Sequence, residues 1–418
     1  MLDSSPKKLI VFKIPEFPHI SETFIVAQVI TAIKMGYDVK ILVRKLVTTN
    51  AEVCSGLIEE YGLLEKVIVE DYKIPVNKAY RLLTWIQILI FNFKHLSHII
   101  KYYKAHSKFS LTWLFEWRFY KQFNDATIFH VQYGTNHKPI AVLKKINFFK
   151  PQTIVTFHGH DAFFPLYGYI PNNNYYKTLF ENDILITANT PYLASKIEGL
   201  GCPNEKIRVI PVGVDTSFFY PKKIEKNKEK QLKLITVGRL DEIKGHRYCI
   251  EAVNQLIRAG IEVSLTIIGE GAERINLEHL IATYNLEKHV FMKGAKSPDE
   301  VRQQLWKHDV YMLLAVPLID GRRETQGLAT LEAQACGLPA IVFDSGGVKY
   351  TVEDKVTGYI CKEFDVEDVI NKIKLLALNP DSLSEMGANA IEFVDKKFSQ
   401  KVIDNKWANI YRKFMRDD

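Results

Sequence analysis

Two glutamates eight residues apart, Glu324 and Glu332, stand in the stretch ETQGLATLEAQACGLPAI, which runs from Glu324 to Ile341. The apolar residues around them deny that stretch an ordinary solvated face. An expected helix near Gly327 to Gln334 would begin between the two acids. Its first free N–H groups, at about Gly327 and Leu328, form a ready anion site, and glycine lets a phosphate approach the backbone. At a rise of ~1.5 Å per helical residue, the two carboxylates would bracket a span on the order of 10 Å. That layout suits a nucleotide sugar: one acid accepts from sugar hydroxyls, the helix start at about Gly327 and Leu328 holds diphosphate, and the second acid accepts from ribose. The bland reading, two solvated helix acids, loses weight beside VGRLDEIKG, where Arg239 and Lys244 follow a strand. Arg as a fork and Lys as a point charge could both neutralise a departing diphosphate.

These residues need a frame that brings strand ends together. The chain has 418 residues with 47% hydrophobic content, more than one core usually holds, so two domains are expected. In the first half, strands are expected at 8–14, 37–45, 127–132, 152–159, 184–189 and 207–213, with a helix from Ser21 to about Met35 after the first. In the second half they are expected at 232–240, 263–269, 289–294, 310–316, 338–344 and 358–362. Alternating strands and helices imply open parallel α/β sheets, whose ligands bind beyond the carboxyl ends of the strands. The expected boundaries are 1–212, a Lys-rich linker at 213–230, 231–398, and a final amphipathic helix at 399–418 that returns to the first domain.

The bulk numbers exclude several classes. Net charge is +7, and the five cysteines show no CxxC spacing, which argues against a disulfide framework or zinc site and for a reducing cytoplasm. The N-terminal stretch shows no apolar run of a signal peptide, and no stretch reaches the ~20 apolar residues of a spanning helix. GEGAE after a strand lacks the third glycine of a dinucleotide fingerprint. FDSGG resembles a protease serine motif only superficially, because the expected fold is not all-β. In HGHD, the two histidines at i, i+2 would point oppositely on a strand, so a metal is not expected. His158 of that motif is read as functional, and Asp161 as either an acceptor-side residue or a cap. Residues 73–121 hold nine Lys or Arg against one acid, Glu116, interleaved with aromatics. That composition fits docking on an anionic membrane or, alternatively, ordinary helices with aromatics in the core. No nucleic-acid motif is present.

Taken as a set, E-x7-E, GRL-x3-KG, IIGEG, ACGLPAI and DSGG resemble the family 4 glycosyltransferases of the GT-B fold. FPHISETFIVAQV, HVQYG and TFHGHD are similar to the branch that builds bacterial surface polysaccharides. The resemblance implies two Rossmann-like doubly wound domains facing an interdomain cleft, the first for acceptor and the second for nucleotide sugar. It implies a retaining transferase without a tightly bound cofactor or metal, using a UDP-sugar or, second, a GDP-sugar. Arg239 and Lys244 are then the diphosphate contacts, Glu324 the sugar contact and Glu332 the ribose contact, and the backbone around Gln326, Gly327 and Leu328 contacts sugar and phosphate. Gly269 and Glu270 lie near the base, and His158 near the donor sugar. Many members carry a glycine pair after the first strand. This chain has PEFPHISETF there, and the Ser21, Glu22 and Thr23 helix start is expected to serve the acceptor side instead. The expected acceptor is a lipid-linked saccharide at the inner face of the cytoplasmic membrane. The alternatives are a sugar-nucleotide epimerase, a phosphorylase, or a non-catalytic sugar-nucleotide-binding partner.

Overall fold

The computed structural model describes residues 8–18, 23–47, 55–106, 108–222 and 231–414. By its contacts the chain divides into two units. The first comprises Met1–Ala188, Ala194–Val209 and Asp404–Asp418, and the second comprises Asn189–Leu193 and Ile210–Ile403.

The first unit is built on seven strands: β1 (Leu9–Phe17), β2 (Asp38–Leu46), β3 (Val67–Val69), β4 (Ile128–Gln132), β5 (Gln152–Thr156), β6 (Leu185–Ala188) and β7 (Ile207–Val209). Their order is β3-β2-β1-β4-β5-β6-β7, all parallel. The second unit repeats the scheme with β8 (Leu232–Val237), β9 (Val263–Ile268), β10 (Val290–Met292), β11 (Val310–Leu313), β12 (Ala340–Phe343) and β13 (Gly358–Cys361). Their order is β10-β9-β8-β11-β12-β13, again parallel. Parallel strands covered by helices on both faces read as unbroken apolar runs. β4, β9, β11 and β12 are accordingly buried at every position. Each sheet grows outward in both directions from its first strand. The strand order therefore reverses between β1 and β4, and between β8 and β11, and a crevice opens beyond the carboxyl ends there.

Every strand expected from the sequence is present, most of them shorter at the carboxyl end. The short β3 was not expected. The expected helix from Ser21 is described as Thr23–Lys34; Ser21 and Glu22 lie outside the described residues, and Thr23 is exposed. Residues 213–222, expected to open a linker, pack onto the second unit instead. Trp306 Nε1 donates to Tyr220 O at 2.6 Å, and the Arg302 guanidinium lies 4.2 Å from the Phe218 ring. The final helix, Gln400–Lys413, has residues Trp407 and Tyr411 in the first unit. There His130, wholly buried, is 3.1 Å from Tyr411 Oη and 5.1 Å ring to ring from Trp407.

In the second unit the loops beyond the strands approach one another backbone to backbone, and only glycine permits this. Gly245 has φ +64°, and a Cβ there would lie 1.7 Å from Leu314 O. At Gly269 a Cβ would lie 1.9 Å from Gly238 O, and at Gly347 it would lie 1.7 Å from Thr325 O. Gly260 offers a control, with φ +74° and open space where a Cβ would go. Gly260→Ala is expected to cost only the left-handed penalty, about 1 kcal/mol. Gly245→Ala is expected to cost at least twice that and to lower the thermal unfolding midpoint clearly more. Equal midpoints for the two variants would overturn the assigned close contact.

Candidate functional site

The second unit's switch point is where chemistry-bearing residues converge. β8 ends at Val237, and the chain turns through Gly238 and Arg239 into a short 3₁₀ turn, Glu242–Lys244. Asp241 starts that turn by accepting from Ile243 N. Gly245 then folds left-handed against Leu314, just past β11, while Val316 N donates to Ile243 O at 3.0 Å. This tie sets Lys244 over the loop that follows β11, where its ammonium forms an ion pair with the Glu324 carboxylate. The pair is mostly shielded, with 19% and 16% of the two side chains exposed.

Glu324 is held from several sides. Its Oε1 accepts from Thr325 N at 3.0 Å and Gln326 N at 3.4 Å, and its carbonyl accepts from Gly347 N at 2.8 Å. Burial disfavours its charged form, but the Lys244 ammonium and the two backbone N–H groups outweigh burial and keep the carboxyl below its ordinary range. The loop itself is pinned: Thr190 Oγ1 donates to Thr325 O at 2.7 Å, and Arg323 pairs with Glu363 and reaches Ser345 Oγ at 3.2 Å. Gln326 has its side-chain amide spent on the Val212 backbone, donating and accepting at 2.9 Å. Only its main chain is left to face a ligand. Gly327 is left-handed at φ +83° and leads into the helix Leu328–Ala335, whose first N–H groups have no intrahelical partners.

Glu332 is the fifth residue of that helix. No ion pair or side-chain hydrogen bond involves it among the described residues. Burial alone pushes its carboxyl from an ordinary 4.5 up to about 7. The two acids of the opening motif thus stand in opposite electrostatic states: Glu324 is paired and ionised, and Glu332 is poised near neutrality. Arg239 is exposed, and among the described residues its guanidinium makes no ion pair. Gly269 crosses the β8 loop, and Glu270 follows it; Glu270 O accepts from Leu240 N at 2.9 Å while its exposed carboxylate pairs with Arg274.

The remaining expected residues belong to the first unit. His158 follows β5; its Nε2 lies 2.8 Å from Gln132 Oε1, and Gln132 Nε2 donates to Gln28 Oε1 at 2.7 Å. Its ring lies 4.5 Å from that of Tyr133 and 5.0 Å from that of Phe24. Burial lowers its pKa to about 3, so the imidazole is neutral. Asp161, the acceptor-side alternative, is wholly buried. It accepts from Gly134 N at 2.7 Å, Gly159 N at 2.8 Å and His158 N at 3.1 Å. A carboxylate spent on three backbone donors clamps the loop that carries His158 and presents nothing to a ligand. Sequence reading missed the Thr190, Arg323 and Glu363 supports of Glu324. Their roles depend on partners far along the chain, and no motif spacing marks them.

Two family models cover this chain: one described as Glycosyl transferases group 1 matches residues 220–393, and one described as Glycosyltransferase Family 4 matches residues 87–218. WcaL of Escherichia coli (strain K12), named as a colanic acid biosynthesis glycosyltransferase, is 31% identical over 288 residues, 68% of this chain and 70% of its own. The chain belongs to the group 1, family 4 glycosyltransferases. Among other members, the amylovoran biosynthesis glycosyltransferase AmsK of Erwinia amylovora is 27% identical over 94% of this chain and 97% of its own. The solved structure of Anabaena Alr3699/HepE in complex with UDP superposes with a TM-score of 0.72, at 15% identity, over 97% of this chain and all of that one. TarM gives 0.70 at 15% identity over 98% of this chain and all of that one. The family 4 chain thus has the two-sheet GT-B fold, and it is a glycosyltransferase.

Glu332 yields a sign-specific expectation. Its carboxyl is raised above the unfolded value, so the folded state disfavours the ionised form. The resulting cost is absent below about pH 4.5, grows as pH rises, and is complete above pH 7. At ~1.4 kcal/mol per pKa unit, allowing for partial exposure, it amounts to about 2 kcal/mol. Glu332→Gln is expected to raise the unfolding midpoint more at pH 8.5 than at pH 5.5. A gain independent of pH would overturn the assigned cause.

Proposed function

We propose that this glycosyltransferase moves a sugar from a nucleoside diphosphate donor to a hydroxyl of a lipid-linked saccharide during surface polysaccharide assembly, with retention at the anomeric carbon. The observation that carries the reading is the Lys244–Glu324 pair at the switch point, just ahead of the Leu328 helix start, with Arg239 exposed on the loop that leads to Lys244. Lys244 and Arg239 hold the diphosphate together with the Gly327–Leu328 backbone. Glu324 accepts from the sugar hydroxyls and Glu332 from the ribose diol. Gly269 and Glu270 border the base. His158 is assigned to the same reaction from the first unit. The bond from C1 to the diphosphate oxygen breaks while the acceptor oxygen bonds to C1 on the same face. The acceptor proton passes to the departing phosphate oxygen, whose charge the two cations stabilise.

The donor is assigned as a UDP-sugar, with a GDP-sugar second. The UDP complex of the similar HepE structure supports this choice. Attachment at the inner membrane face would bring the enzyme to a lipid-linked acceptor.

The test is thermal stabilisation by UDP, GDP, ADP, CMP and NAD, because a ligand that binds only the folded chain raises the midpoint. UDP is expected to stabilise the protein, and Arg239→Ala to abolish the shift. Glu324→Ala is expected to retain UDP binding and lose at least 100-fold in transfer. Stabilisation by NAD alone, or full transfer by Glu324→Ala, would overturn the assignment. Turnover of the nucleotide sugar with no acceptor present would favour an epimerase.

A further inference from the structure

Residues 73–121 form three helices of the first unit, Lys78–Phe91, Leu96–Lys104 and Thr112–Lys121. The third is a core helix, with Leu114, Phe115, Trp117 and Tyr120 buried. The segment's single acid, Glu116, is drawn inward, accepting from Tyr102 Oη at 2.5 Å and Tyr72 Oη at 3.3 Å. The first helix behaves differently. Of its fourteen residues only Ile88 is buried. Leu83 is 59% exposed, Ile90 63%, Phe91 85% and, just beyond, Phe93 67%. A groove of about 420 Å³ runs between this helix and the second, lined by Trp85, Leu89, Leu96, Ile99, Ile100 and Phe109. Trp85 Nε1 donates to Tyr103 Oη at 2.7 Å, so the indole leaves no polar atom for the groove to satisfy. Lys104 and Lys108 also line it, and Lys78, Lys94 and Lys101 stand exposed nearby in sequence.

We propose that this face docks on an anionic bilayer, with Phe91 and Phe93 entering the acyl layer and the groove taking one acyl chain. Lys101, Lys104 and Lys108 then sit at the level of the headgroup phosphates. Exposed aromatics beside lysines, with no outward acid, match the apolar and charged layers of such a surface together. A second copy of the chain is a poor occupant, because a self-complementary contact would set these cations against each other. Among the described residues no helix is long and apolar enough to cross a membrane. The inference names the surface at which the proposed lipid-linked acceptor would be met, and to that extent rests on the proposed function.

The test is co-sedimentation of the full chain with vesicles of phosphatidylcholine alone or with one-third phosphatidylglycerol. Binding is expected only to the anionic vesicles, weakening as salt rises. Phe91→Ser with Phe93→Ser is expected to weaken binding by more than ~10-fold. Each of Lys101→Gln, Lys104→Gln and Lys108→Gln is expected to weaken it ~5-fold. Exposed positions should leave the melting temperature unchanged, which separates lost docking from lost folding. Absence of wild-type binding, equal binding by the variants, or equal binding to neutral vesicles would overturn the proposal. So would a dimer in solution that the Phe91→Ser, Phe93→Ser variant lacks. UDP stabilisation measured on the same samples keeps the two claims apart. A retained UDP shift without vesicle binding sinks the docking face alone, and vesicle binding without a UDP shift sinks the transferase site alone.

Discussion

The second unit depends on loops lying against one another with no side chain between them. Gly245 rests on Leu314 O, Gly269 on Gly238 O, and Gly347 on Thr325 O. Each contact joins the loop after one strand to the loop after a neighbouring strand. Together they fix the carboxyl ends of β8, β9, β11 and β12 relative to one another. The Lys244–Glu324 pair follows from the first of these contacts, and the position of Glu324 from the last. A rigid arrangement of main chains is what lets a few charged side chains sit in a defined pattern.

The first unit uses a different device. Its loop after β5 is organised around one buried carboxylate, Asp161, which gathers the N–H groups of Gly134, Gly159 and His158. His158 is held in turn by Gln132 and Gln28. Burying a carboxylate is costly unless backbone donors surround it, and here they do.

Much of this was legible in the sequence because parallel strands covered on both sides are unmistakably apolar and motif spacing marks strand ends. Glu324, Lys244 and Gly327 could be singled out on that basis. What could not be read was who partners whom. Thr190 and Glu363 support the Glu324 loop from more than 30 residues away in sequence, and nothing in their surroundings announces it. Likewise Asp161 looks the same on paper whether it faces ligand or backbone. The 73–121 segment was ambiguous because aromatics at helical spacing suit a core or a surface equally. The structure divides them: Phe115 and Trp117 go inside, while Phe91 and Phe93 stay out. β3 was missed because three residues carry too short a pattern to register.

The ion pair between Lys244 and Glu324 also makes the site its own counter-ion. An incoming anion must displace a carboxylate from the ammonium, and that carboxylate is then left without its partner in a shielded place. A bare phosphate would satisfy the lysine and strand the glutamate. A molecule that brings an anionic oxygen and a hydroxyl together satisfies both. In the proposed role, the site therefore works as a two-key lock: abundant inorganic phosphate carries only one of the keys, and an activated sugar carries both.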